Sequence, residues 1–103
     1  MEYQKEYFVY FIKSLTNGKI YTGKTEKKPT IRTKEHNSGT NEWTKHNGPF
    51  ILVYFEKYYC KKDMDEREKF FKTGFGKKIR NAILKEITQF RPEADQPMAG
   101  VRA

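Results

Sequence analysis

The sequence predicts an α/β domain with a small, mostly antiparallel three-stranded sheet flanked by helices in the order β-β-α-β-α-α. Three observations carry that expectation. Asn17-Gly18 stands between two β-rich runs, a second near-continuous apolar run follows at residues 50–55, and the segments around that run show helical periodicity or helix punctuation.

The Asn-Gly pair is the strongest short-range hairpin signal because both residues accept positive φ, so the two runs that flank it within residues 7–25 read as a two-stranded ribbon. Its first strand is apolar or aromatic at almost every position, as expected of a strand covered on both faces. The second is short and polar and ends in Gly23, which leaves room for a close neighbour. Pro29 fits the first turn of a helix running to about Asn37, where Ser38-Gly39 stops it. Residues 40–47 are polar around Trp43 and suit a short helical turn, ended by Gly48-Pro49. Residues 50–55 then form the third strand, expected to be covered on both faces like the first. A helix over about 62–73 follows, with Asp63 as its N-cap and Gly74 and Gly76 at its end. Ile79, Ala82, Ile83, Ile87 and Phe90 stripe a last helix. Residues 1–90 therefore read as one domain and 91–103, poor in hydrophobics and without period, as a disordered tail.

Bulk properties narrow the class. A chain of 103 residues with 36% hydrophobic content supports one core. It has no apolar run near 18 residues and a polar start, which points to a cytoplasmic setting. The single cysteine, Cys60, excludes an internal disulfide and reads as a small buried residue. There are 21 Lys and Arg against 13 Asp and Glu, a net charge of +8, and the tail contributes none of it because Arg91 and Arg102 offset Glu93 and Asp95. Such an excess favours a polyanion partner, and aromatics interleaved with lysines add a means of stacking on bases.

Five residues stand out as chemistry. Tyr10 and Tyr21 lie one in each strand of the hairpin, where a tyrosine is ordinarily a packing residue with a wet tip. Arg32 and His36 are four apart and share a helix face. Glu68 falls among Met64, Phe71 and Phe75 at helical spacing, an unusual place for a solvated carboxylate. It is either ion-paired, as with an arginine, or at the floor of a cleft that a cation reaches. Phosphodiester hydrolysis needs a base for water, a cation for the phosphoryl oxygens and help for the departing oxygen, and this inventory meets those needs.

These residues also match a pattern. Phe8-Val9-Tyr10, Tyr21-Thr22-Gly23, residues 32–39 beginning Arg32-Thr33-Lys34-Glu35-His36, and residues 67–74 beginning Arg67-Glu68 resemble the GIY-YIG nuclease superfamily. The likeness is to its small single-domain URI-type members, related to the amino-terminal nuclease domain of the excision-repair protein UvrC. The resemblance implies that Tyr10 and Tyr21 are the motif tyrosines, one of them helping to deprotonate water. It makes Arg32 a phosphate contact, His36 an aid to proton transfer and Glu68 the ligand of a single Mg²⁺ or Mn²⁺. Lys24, after the second motif, becomes a candidate phosphate contact with a solvated lysine as its alternative. Asn81 stands where the family often has an asparagine, although it points about 160° from the apolar stripe of its helix.

The implied activity is metal-dependent endonucleolytic cleavage of DNA, with RNA also admitted, in repair, recombination or processing of structured DNA. A catalytically inactive nucleic-acid-binding module of the same fold is the alternative. With no separate recognition domain in view, specificity is expected from substrate shape or from a protein partner.

Overall fold

A computed structural model describes residues 4–39 and 42–90. Three strands, β1 (Tyr7–Ser14), β2 (Ile20–Thr25) and β3 (Phe50–Tyr58), and four helices, α1 (Pro29–Asn37), α2 (Glu42–Asn47), α3 (Lys61–Phe71) and α4 (Gly74–Phe90), follow the expected order. The sheet order is β2-β1-β3, and both pairings are antiparallel.

The turn between β1 and β2 is as its sequence requires, with Gly18 at φ 76°. β1 is central, and this is why its residues Phe8 to Ile12 are buried on both faces. Val9 and Phe11 point to one side and pack with Met64 and Phe71 of α3 and with Ile79, Ile83 and Leu84 of α4. Tyr10 and Ile12 point to the other side, where Phe50, Tyr21 and Leu52 join them. The hairpin is thus a wall between two cores, with α3 and α4 on one side. His36 of α1 and Trp43 of α2 pack on the other, the first against Tyr10 and the second against Tyr21 and Phe50.

Several expectations need correction. β3 continues to Tyr58 and is an edge strand, so Ile51 and Phe55 remain 44% and 48% exposed instead of covered on both faces. α3 begins at Lys61, two residues before Asp63, and its N-cap is Cys60, which makes no side-chain cap. Asp63 falls in the first turn, where its charge still favours the helix dipole. Cys60 is exposed, in the short link between β3 and α3. Gly74 opens α4 instead of closing α3, which already ends at Phe71. Phe75 leaves the stripe for that reason. Once the helix breaks, its ring is 65% exposed and meets the Phe70 ring edge-on. Ala82 is likewise exposed, while Ile79 and Ile83 do face the core. The tail, residues 91–103, lies outside the described residues.

One half-buried polar assembly ties the α3 face together. Glu56 accepts from Arg67 through Nε and a terminal nitrogen at 2.9 and 3.0 Å, and from the hydroxyls of Tyr54 and Tyr58 at 2.6 Å each. Burial pushes its carboxyl up, but these donors outweigh that and hold it below the ordinary carboxylate range. Arg67 also lies over the Phe71 ring at 4.3 Å. It is therefore committed to the fold.

Candidate active site

The two tyrosines reach one face because β2 pairs with β1 in a register that sets Tyr21 opposite Ile12 and Gly23 opposite Tyr10. Gly23 is required there. A Cβ at that position would lie 2.4 Å from the Tyr10 hydroxyl and 2.5 Å from its Cζ, so the phenol lies directly over the glycine. From that position the Tyr10 hydroxyl is 2.7 Å from Nε2 of His36, whose Nδ1 is 3.3 Å from the hydroxyl of Thr44 in α2.

Both Tyr10 and His36 are fully buried. Burial pushes the Tyr10 phenol up to about 12, with Tyr21 adding to the rise and the Arg32 charge opposing it. Burial also pulls His36 down to about 4, and the Arg32 cation pulls the same way. At neutral pH the phenol therefore keeps its proton and donates a hydrogen bond to Nε2 of a neutral imidazole, whose Nδ1–H is left for Thr44.

Tyr21 is only half-buried. Its ring meets the edge of His36 at 5.1 Å and stacks on Trp43 at 5.4 Å, and Trp43 stacks in turn on Phe50 at 5.7 Å. Arg32, one helical turn before His36, is held 2.8 Å from Glu35, which Lys27 also pairs. Tyr10, Tyr21, Arg32 and His36 are thus gathered on one side of the sheet.

Glu68 belongs to α3, across the sheet from Tyr10. It is 8% exposed and is paired not with an arginine but with Lys72, four residues on along the same helix. Because β2 is an edge strand, the two sides meet around it. A groove of about 440 Å³ joins Tyr21 and Trp43 on one side to Phe71, Lys72, Lys77 and Arg80 on the other. Lys24 projects from β2 to pair with Asp65 at 3.0 Å, and the Glu68 charge is among those acting on it. Asn81 is exposed and lies outside that groove, with its Oδ1 accepting from the neighbouring Arg80 at 3.1 and 3.2 Å. A larger cavity of about 940 Å³ at the other end of the sheet, lined by Phe8, Glu26, Lys28 and Tyr59, contains none of these candidates.

The family model described as the GIY-YIG catalytic domain matches residues 6–81 of the 103. The chain belongs to the GIY-YIG family. GIY-YIG proteins form a nuclease superfamily whose members generally depend on a divalent metal, and the three-stranded antiparallel sheet with flanking helices is consistent with their fold. No curated protein and no solved structure matches the chain. Among the described residues no helix is long and apolar enough to cross a membrane.

The residues present fit a hard divalent cation of the kind the GIY-YIG family uses. Glu68 offers an oxygen donor that already attracts a cation, the Lys72 ammonium, in a nearly buried position. No group of three ligating side chains occurs among the described residues, so protein would supply one ligand and water or phosphate the others, as is usual for Mg²⁺. Sequence reasoning missed Thr44, Trp43, Lys72, Lys77 and Arg80. Only the aromatic-and-basic composition around them offered a signal, since nothing in their spacing brings α2 near α4.

Proposed function

We propose that this GIY-YIG protein is a divalent-metal-dependent endonuclease that hydrolyses DNA phosphodiester bonds in the cytoplasm, in repair, recombination or processing of structured DNA. The observation that carries the reading is the groove around the β2 edge. It gives the half-buried Tyr21 a path to the Glu68 side of the sheet.

Tyr21 is the residue to hold the attacking water and, in its phenolate form, to take up the proton that the water loses, since it lines the groove while Tyr10 is sealed beneath it. With the phenol near 12 and the imidazole near 4, the proton between Tyr10 and His36 stays on Tyr10. The pair then serves to position Tyr21 through the His36 ring edge. Arg32 exchanges Glu35 for a phosphate oxygen and offsets the charge that builds in the transition state. A Mg²⁺ or Mn²⁺ held by Glu68 would supply Lewis-acid stabilisation of the phosphoryl group and the departing oxygen. Lys24, once released from Asp65, is placed to meet a flanking phosphate.

Nicking of supercoiled plasmid with Mg²⁺, with Mn²⁺ and with EDTA tests this, run beside a labelled RNA of the same sequence. Cleavage is expected with metal and DNA. It should be lost in Glu68→Ala and in Arg32→Ala while their circular dichroism and melting temperature stay near wild type. Full activity in either variant would remove that residue's role, and salt-sensitive binding without any metal-dependent cleavage would favour a non-catalytic module.

A further inference from the structure

The groove around the β2 edge has two unlike walls. Tyr21 and Trp43 form an aromatic wall, with their rings stacked at 27° and Trp43 36% exposed. Lys72, Lys77 and Arg80, from the end of α3 and the first turns of α4, form a cationic wall, and the buried Phe71 closes the floor. In paired DNA the base faces are hidden inside the stack and only phosphates and groove edges are presented, so an aromatic wall would have nothing to meet. An unpaired strand presents both base faces and phosphates at once, and sites for such strands combine an aromatic platform with a positive track. At about 440 Å³ the groove lies within the size range of small-molecule sites, about 300–1,000 Å³, which suits one nucleotide and not a duplex.

The geometry points to this groove as a binding site for an unpaired nucleotide. The base lies against Tyr21 and Trp43, and the flanking phosphates meet Lys77 and Arg80. Asn81, by accepting from Arg80 through Oδ1, helps to hold that guanidinium against α4. The inference rests on the nuclease reading of the neighbouring residues and specifies its substrate as single-stranded, frayed or overhanging DNA.

Trp43 is the only tryptophan in the chain, so its emission reports on this groove alone. The full chain is titrated in EDTA, where no cleavage occurs, with a short oligothymidylate and with a blunt hairpin duplex of equal nucleotide number. The single strand is expected to quench Trp43 and to bind more tightly. Lys77→Ala/Arg80→Ala, two exposed or half-exposed positions, should lower the salt slope of single-strand binding by about 1.4, at about 0.7 per phosphate contact. At 0.1 M salt that slope corresponds to about 25-fold weaker binding relative to a 1 M reference. Duplex bound as tightly as single strand with unchanged Trp43 emission would overturn the inference, as would an unaltered salt slope in the double variant. Since cleavage plays no part, failure here leaves the nuclease reading standing, while quenching without any metal-dependent cleavage elsewhere would sink that reading and keep the groove.

Discussion

Replacing Gly23 by alanine probes how the site is seated. The added methyl would stand 2.4 Å from the Tyr10 hydroxyl, 2.5 Å from Cζ and 3.0 Å from Cε1, whereas ordinary contacts begin near 3.4 Å. The ring must therefore shift by about 1 Å, an overpacking that costs about 1–3 kcal/mol. A shift of that size also breaks the 2.7 Å bond to His36 and leaves a buried hydroxyl and imidazole unsatisfied, about 1–3 kcal/mol more. Alanine recovers about 0.5–1 kcal/mol of backbone entropy in a strand, so the net expected loss is about 1–5 kcal/mol. Urea unfolding measures it directly. In a Tyr10→Leu background, which lacks the Cε1, Cζ and hydroxyl atoms that the methyl meets, the same change should cost close to nothing. A loss below about 1 kcal/mol in the wild-type background, or an equal loss in both, would refute the account of Gly23 as the bed of the phenol.

Tyr21→Phe should lower the cleavage rate by about 10²–10⁴-fold, the usual worth of a general base, while Tyr10→Phe lowers it less and chiefly costs stability; single-turnover cleavage with paired melts separates the two. His36 has a folded-state pKa of about 4, below its ordinary 6.5, so the unfolded chain binds more protons between those values. Stability contributed by neutral His36 should be full above about pH 6.5 and fall as pH drops toward 4, by at most about 3 kcal/mol. Urea midpoints at pH 7 and 4.5 should converge in His36→Gln relative to wild type. Arg67→Met should destabilise by about 1–3 kcal/mol because Glu56 stays half-buried and loses the charged donor that Arg67 supplies, and Glu56→Gln should add little on top of it in a double-mutant cycle. Lys72→Gln should tighten Mn²⁺ binding in titration calorimetry several-fold, since the ammonium competes for the Glu68 carboxylate; weaker binding would show that Lys72 does not compete.

Local rules alone determined much of this protein. The Asn17-Gly18 turn, the burial of β1, the start of α1 at Pro29 and its stop before Gly39 each follow from what two or three neighbouring residues permit, and all appear where expected. Helical periodicity likewise put Arg32 and His36 on one face of α1 and Glu68 on the buried side of α3, where the structure has them. Tertiary structure decided the rest. Whether β3 was covered depended on strand order, which composition does not encode, and the break between α3 and α4 turned on how two helices meet. The partners chosen were also beyond reach: Lys72 for Glu68, Glu56 for Arg67 and Thr44 for His36 join groups whose distance along the chain says nothing of their distance in space. Above all, Tyr10 and Glu68 lie on opposite sides of the sheet, and only around the β2 edge does a groove join Tyr21 and Trp43 to Lys72, the partner of Glu68.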